Sequence, residues 1–221
     1  MIKLTDSALY YNEESQQYSA WEWLEEQLDP AVLEQFAQKY RDKPEVVSSN
    51  PLAVEWQSQN DNDSGTGYRE CFSSSMAMIA MFYGKVKNDD EYNSIRQKYG
   101  DSTDASAQLA ALRSLGLTPT FVTNASIQTL KNEIDNGRPV GVGWLHHGSV
   151  AAPSGGGHWS VVVGYDDNGV IMNDPNGEAN LAGGGYTQNT NGDHLNYSLK
   201  NWKPRWTVSG ENDGWCMVVK P

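Results

Sequence analysis

Residues 71–84 of the 221-residue chain, CFSSSMAMIAMFYG, contain no charged side chain. The run is long for a strand and rich in alanine and methionine, so it predicts a buried helix over 71–83 that ends at Gly84. A polar, turn-rich loop over 57–69 precedes it. Cys71 therefore lies at a helix start, where free N–H groups and the helix dipole stabilise a thiolate. The alternative interpretation is that Cys71 only fills the core.

Helices dominate the chain up to about residue 135, and strands dominate the second half. Further helices are predicted over 89–99, 104–115 and 126–135, with a short strand over 118–123. Strands are predicted over 139–145, 159–165, 170–173, 205–208 and 214–219, with a hairpin turn at 167–169 and a long loop or loose hairpin over 174–200. Helices followed by an antiparallel sheet indicate the α+β class rather than an alternating parallel fold.

The same pattern predicts the domain organisation. Residues 1–50 carry apolar side chains at near-helical spacing and a helix-start signal at Asp29-Pro30, so they are predicted to be a helical N-terminal extension packed on the core. Residues 51–221 are predicted to form one domain, with a C-terminal extension from about residue 177. A chain of this length fits one domain with a short addition.

The charge balance limits the possible partners. Sixteen Lys and Arg residues face 28 Asp and Glu residues, which gives a net charge of −12. Because no basic cluster is present, nucleic-acid binding is not expected, and no apolar run reaches the roughly 18 residues of a membrane span. The start of the sequence lacks signal-peptide features, so synthesis in a cytoplasm is predicted. We also expect a monomer without a cofactor.

No metal site is predicted either. The acidic loop over 60–65 has some of the composition of a calcium loop, but it lacks the full spacing and the distal glutamate, so it is interpreted as a solvated loop. The second cysteine, Cys216, lies in an apolar run and is interpreted as a small core residue. Two cysteines do not make a disulfide framework, although a Cys71–Cys216 bond is possible by number.

A histidine and an aspartate are candidate partners for Cys71. His158 follows three glycines and begins an apolar strand, an arrangement that holds a catalytic base rigidly. If the strands on either side of the turn at 167–169 pair, His158 lies opposite a position near 178, within a few residues of Asp174. Asp174 can then orient the imidazole. Asn173 is the alternative, since an amide can also orient a histidine, and 174–177 can equally be a plain turn.

Two further sites complete the candidate set. Gln59 in the polar loop can donate a second hydrogen bond to an oxyanion beside the Cys71 N–H, and Gln57 is its competitor. His146 and His147 end a predicted strand, and because adjacent residues face opposite sides, at most one of them points inward.

These features together resemble the papain-like cysteine peptidases, in particular the bacteriocin-leader-processing peptidases and their free-standing bacterial and phage relatives. The shared pattern is a loop glutamine, a cysteine opening a helix with small residues, Gly-His before an apolar strand ending in Gly-Tyr-Asp, and Asn-Asp-Pro. In this chain the pattern falls on Gln59, Cys71–Met78, Gly157–Asp166 and Asn173–Pro175. The resemblance covers about residues 55–176 and departs in the long acidic loop before Cys71 and over 177–221.

The resemblance implies a papain-like α+β fold with N-terminal helices packed on an antiparallel sheet. It implies Cys71 as nucleophile, His158 as base and acid, Asp174 as orienting group and Gln59 in the oxyanion hole. The expected activity is cysteine-dependent hydrolysis of peptide bonds. Contacts with the substrate are expected from Gly156, Gly157, Trp159 and His146.

The sequence favours the peptide stem of peptidoglycan as the substrate. The segment 197–215 resembles the endings of cyanobacterial and phage-encoded peptidases of this type, which often act on cell walls. The preferred interpretation is therefore an endopeptidase or amidase, either a phage endolysin or a bacterial cell-wall hydrolase, that reaches the wall after release. The alternatives are a protease for protein substrates, as in virion or leader processing, and an inactive binding module with the same scaffold.

Overall fold

The structure is a computed structural model that describes residues 50–221 together with Asp29 and Val32. The chain divides into two compact units, residues 1–45 and residues 46–221, and every element with described bounds belongs to the second. The helical extension predicted over 1–50, and its packing on the core, lie outside the described residues.

The described residues form five helices, four of them in the first half, where the sequence predicts them, and one near the end. They are α1 (Cys71–Phe82), α2 (Asp89–Arg96), α3 (Ala105–Ser114), α4 (Ile127–Asp135) and α5 (Leu199–Trp206), with short 3-10 turns at Gln59–Asp61 and Gly67–Arg69. The side chains of Asn88, Asp104 and Ser126 accept backbone N–H groups at the starts of α2, α3 and α4. These caps explain why the sequence located those three starts to within a residue.

Eight strands of the described residues make one large sheet and a small hairpin. They are β1 (Thr118–Ala125), β2 (Val140–Trp144), β3 (His158–Tyr165), β4 (Gly169–Asn173), β5 (Glu178–Ala179), β6 (Tyr186–Gln188), β7 (Leu195–Ser198) and β8 (Gly214–Lys220). The six-stranded sheet has the order β1-β8-β2-β3-β4-β7, and all its neighbours are antiparallel. The remaining pair, β5-β6, stands apart. The predicted α+β class is confirmed.

A different helix packs on each face of the sheet, and on each face the close contact falls on a glycine of a strand. A Cβ on Gly141 of β2 would lie 2.3 Å from the Met76 Cε of α1, so α1 packs closely on that face. Gly214 of β8 lies on the opposite face, because Met217 pairs with Gly141 and side chains alternate. A Cβ there would lie 2.3 Å from the Trp206 Cζ2, so α5 covers the second face.

The strand predicted over 205–208 is wrong. Arg205 and Trp206 end α5, whose buried side chains include these two and Trp202, and residues 207–208 lie beyond the helix. The two tryptophans lie four positions apart and stack at 5.1 Å between ring centroids, which is the spacing of one helix face. The packing of the two indoles therefore stabilises a helix here rather than the predicted strand.

The segment from residue 177 onward contributes to the main sheet. The prediction of a loose hairpin over 174–200 fits β5-β6, but it missed β7, which pairs with β4. In addition, β8 lies between β1 and β2. Residues after 177 therefore complete the sheet rather than extend from it.

Candidate active site

Cys71 is the first residue of α1, and it is partly buried. Among the described residues, no side chain caps the start of this helix, so its first N–H groups stay available. Burial raises the pKa of the Cys71 thiol, but the charge of His158, a hydrogen bond from its side chain and one from the Trp159 N–H outweigh burial. The pKa of Cys71 is therefore lower than usual, as a nucleophilic thiolate requires.

His158 is the first residue of β3, and its ring is buried. Its Nε2 lies 2.7 Å from the Asp174 Oδ1. Burial lowers the pKa of His158. The charges of Asp174 and Cys71 and the hydrogen bonds to both raise it by more than burial lowers it, so the pKa is well above the usual value. A thiolate and an imidazolium are thus mutually stabilised in this site.

Asp174 follows β4 and is fully buried. Its carboxylate accepts hydrogen bonds from the Tyr197 hydroxyl at 3.1 Å and the Asn176 N–H at 3.0 Å, in addition to the one with His158. Asn173, the alternative orienting residue, donates its amide to the Val54 carbonyl and accepts the His194 N–H. The structure therefore brings Asp174, and not Asn173, to His158.

The two glutamines differ in position. Gln59 is buried, and its Nε2 donates to the Gly67 carbonyl at 2.8 Å, within the loop that leads to Cys71. The Gln59 Oε1 is buried without a hydrogen-bond partner among the described residues. Gln57 is half-buried and donates to the carbonyl of its neighbour Trp56. An amide carries two N–H groups, so Gln59 has one besides the one donated to Gly67, and an oxyanion donor needs such a group.

The order and geometry of these residues agree with one protein family. The model of the Peptidase_C39 like family matches residues 51–209. The chain belongs to this family. It is a papain-like cysteine peptidase that acts on peptides. The match extends well past residue 176, where the sequence resemblance ended, and takes in β7 and α5.

The chain is similar to three solved peptidase structures, and the first of them shares its fold. The peptidase domain of Streptococcus ComA, a bifunctional ABC transporter involved in quorum sensing, is 20% identical, with coverage of 76% of this chain and 98% of that one at a TM-score of 0.51. A C39-like peptidase from Bacillus anthracis is 15% identical, with coverage of 76% and 96% and a TM-score of 0.48. A double glycine motif protease from an AMS/PCAT transporter is 19% identical, with coverage of 69% and 85% and a TM-score of 0.41. No curated protein matches this chain.

The predicted substrate contacts of this C39-like peptidase fall around His158. Gly156 and Gly157 precede it, and an added Cβ on either would meet no atom of the described residues within 4 Å. The His146 ring lies 5.3 Å from the His158 ring between centroids. The Trp159 ring instead stacks on Phe72 at 3.7 Å, so much of its surface packs inside the protein. Substrate contact by these four residues stays a prediction.

Sequence reasoning missed three aromatic residues that surround the His158–Asp174 pair. Trp144 meets the His158 ring edge-on at 5.4 Å between centroids, and the Tyr186 ring does so at 5.6 Å. Tyr197 donates to Asp174. Tyr186 and Tyr197 lie in the segment predicted as a loop, so the sequence offered no local signal for their position. Trp144 offered one, because it ends the strand that pairs with β3.

The described residues hold no metal-binding cluster of three or more His, Cys, Asp or Glu side chains. Both cysteines are free thiols, and Cys216 is buried. Burial raises the pKa of Cys216 to about 12, so the two thiols differ strongly in acidity. In the described part of the chain, no helix combines the length and apolarity needed to cross a membrane.

Proposed function

We propose that Cys71, His158 and Asp174 form the catalytic triad of this peptidase and that its substrate is the stem peptide of peptidoglycan. The observation that carries the proposal is the contact of the low-pKa Cys71 thiol with a buried imidazole that is itself held by Asp174 at 2.7 Å. Nucleophile, base and orienting group are then in the order that acyl transfer requires.

The reaction follows from the charges of the pair. The Cys71 thiolate attacks the amide carbonyl carbon, so a C–S bond forms and the oxygen becomes an oxyanion. His158 gives its proton to the leaving amine as the C–N bond breaks. Water then attacks the acyl-enzyme while His158 takes its proton, which releases the acid and restores the thiolate.

Two donors are assigned to the oxyanion. The Cys71 N–H is one of the uncapped groups at the start of α1, and the free amide N–H of Gln59 is the other. An N–H at a helix start and a fixed side-chain amide both keep their orientation through the reaction, so they stabilise the charge without reorganisation.

The preference for a stem peptide rests on the open glycine strip before His158. Gly156 is exposed, and Gly157 has a φ of 93°, a conformation that disfavours larger residues. A strip without side chains fits a short peptide of small residues such as alanine. The resemblance of residues 197–215 to wall-acting enzymes supports the same substrate.

A second candidate, a protease for protein substrates, is favoured by a cavity near the same site. The cavity has a volume of about 220 Å³, and its lining includes Trp144, Trp206, Val208 and Trp215. Trp144 lines this cavity and also contacts the His158 ring. A large apolar side chain fits such a cavity, and stem peptides have none.

The test compares purified sacculi with an unfolded protein as substrates for wild type, Cys71→Ala and the matched control Cys216→Ala. We expect new amino termini from sacculi with wild type and Cys216→Ala, and none with Cys71→Ala. If the unfolded protein is cleaved and sacculi are not, the stem peptide is not the substrate, and the second candidate, a protease for protein substrates, takes its place. Full activity of Cys71→Ala would overturn the triad.

A further inference from the structure

Arg205 is a fully buried arginine of α5 whose partners are all backbone carbonyls. Its Nε donates to the Leu181 carbonyl at 2.8 Å, Nη1 donates to those of Leu145 and His147 at 3.1 Å each, and Nη2 donates to that of Gly148 at 2.8 Å. No described acidic side chain forms an ion pair with it. A buried cation without a counter-ion is costly, so these four hydrogen bonds are what keep it in place.

The carbonyls belong to two segments that Arg205 joins. One is the turn of residues 145–148 after β2, and the other is the tip of the β5-β6 hairpin, residues 181–185. The Gly185 N–H donates to the His146 carbonyl at 2.7 Å. Gly184 has a φ of 87°, and a Cβ there would lie 2.3 Å from the Gly148 oxygen. The turn and the tip are therefore in direct backbone contact above the guanidinium.

Each segment carries a ring that flanks the catalytic histidine. The turn carries His146, with its ring centroid 5.3 Å from that of His158. The hairpin tip leads into Tyr186, whose ring lies 5.6 Å from His158 and whose hydroxyl lies 3.4 Å from the Asp174 Oδ1. Burial and the neighbouring histidines lower the pKa of His146 to about 4, so this ring is neutral at physiological pH.

We propose that Arg205 is a positioning residue of the active site. Its guanidinium fixes the turn and the hairpin tip, and thereby the two rings that hold the His158 imidazole between Cys71 and Asp174. The titratable groups that face His158 are Cys71, Asp174, His146 and Tyr186, and Arg205 sets the position of the last two. Arginine suits this role because its planar fork reaches carbonyls on two segments, which the single ammonium of lysine cannot do.

The inference rests on the proposed triad, and the test separates the two. The rate of Cys71 alkylation by iodoacetamide is measured against pH, because it reports the thiolate without any substrate. In Arg205→Lys we expect a rate about tenfold lower below pH 7, as a misplaced His158 stabilises the thiolate less, and an unchanged rate above pH 9. On a cleavable substrate, kcat falls by a similar factor and KM does not.

A second variant covers the case in which Arg205→Lys does not fold. Gly184→Ala separates the hairpin tip from the turn while Arg205 stays intact, and the same alkylation profile is expected. Two variants serve as matched controls. Arg138→Met removes a different half-buried guanidinium. Gly116→Ala places a Cβ at a φ of 78°, close to the 87° of Gly184, but with no atom of the described residues within 4 Å of it. Both controls should follow wild type.

The outcomes are distinct. If wild-type Cys71 shows no excess reactivity at acidic pH, the proposed triad fails. If wild type is reactive and the folded Arg205→Lys and Gly184→Ala proteins keep its full pH profile, Arg205 has no positioning role. A drop in thermal stability with an unchanged profile would count against the inference in the same way.

Discussion

At the scale of single residues, the charges of Cys71 and His158 determine how activity depends on pH. The active form pairs a thiolate with an imidazolium. Activity should rise as pH crosses the lowered pKa of Cys71 and fall as it crosses the raised pKa of His158. Asp174→Asn removes the charge that raises the His158 pKa, so the alkaline limb should move to lower pH and kcat should fall by about 10²-fold or more. A kcat/KM profile with the alkaline limb unmoved would contradict this.

Gln59 and Gln57 are the two candidates for the side-chain donor to the oxyanion. Gln59→Ala should lower kcat by about 10²- to 10³-fold, because one of two donors to the developing charge is lost. Gln57→Ala serves as the matched variant, since the Gln57 side chain hydrogen-bonds the backbone of its neighbour Trp56, and its kcat should be that of wild type. Steady-state kinetics of both variants decide between the two glutamines, and the reverse pattern would assign the role to Gln57.

The sequence predicted that Cys71, His158 and Asp174 lie close together, because local chemistry marks each of these residues. Cys71 stands at a composition boundary, and the register prediction placed His158 opposite position 178. Extending the observed pairing of Val161 with Asn173 places His158 opposite position 176, two residues from the prediction, and the bulge between Val162 and Gly164 accounts for one of the two. That difference is small enough to leave Asp174 at His158. The roles of Tyr186 and Tyr197 were not predicted, because their contacts with His158 and Asp174 depend on how the glycine-rich segment 174–200 folds onto the sheet.

At the scale of elements, the packing of helices on the sheet predicts unequal costs for two glycine substitutions. Gly214→Ala directs a Cβ into the Trp206 indole, which is fixed by its stack on Trp202 and its hydrogen bond to the Trp215 carbonyl. We expect a loss of about 2–3 kcal/mol in the free energy of unfolding. Urea titration measures this loss.

Gly141→Ala is the matched comparison for that substitution. Its Cβ meets the flexible end of Met76, so the loss of unfolding free energy should be below about 1 kcal/mol. Equal losses of unfolding free energy in both variants would show that the Trp206 indole moves aside as readily as the end of Met76.

The elements that were predicted correctly are those with local signals. Caps and glycine stops marked the helices of the first half, and apolar runs marked β2, β3 and β8. The end of α5 was predicted as part of a strand over 205–208, because the stability of this helix comes from Trp202, Trp206 and the Arg205 hydrogen bonds to other segments. These are tertiary contacts, which override the weak local preference of an eight-residue sequence with an internal proline.

At the scale of the whole molecule, the net charge of −12 opposes binding to an anionic wall. If sacculi are the substrate, added salt should screen this repulsion, and initial rates on sacculi should rise about three- to tenfold between low and physiological ionic strength. A short neutral peptide is the control, and its hydrolysis should not change with salt. A rate on sacculi that falls with salt would instead indicate attraction between enzyme and wall.

The position of β8 between β1 and β2 has a consequence for how the protein is made. During synthesis, β1 and β2 leave the ribosome well before residues 214–220, yet each lacks a neighbour until that strand arrives. Their open edges are exposed to pairing with other chains in the meantime. The six-stranded sheet, whose β3 carries His158, can therefore be completed only after residues 214–220 have been translated.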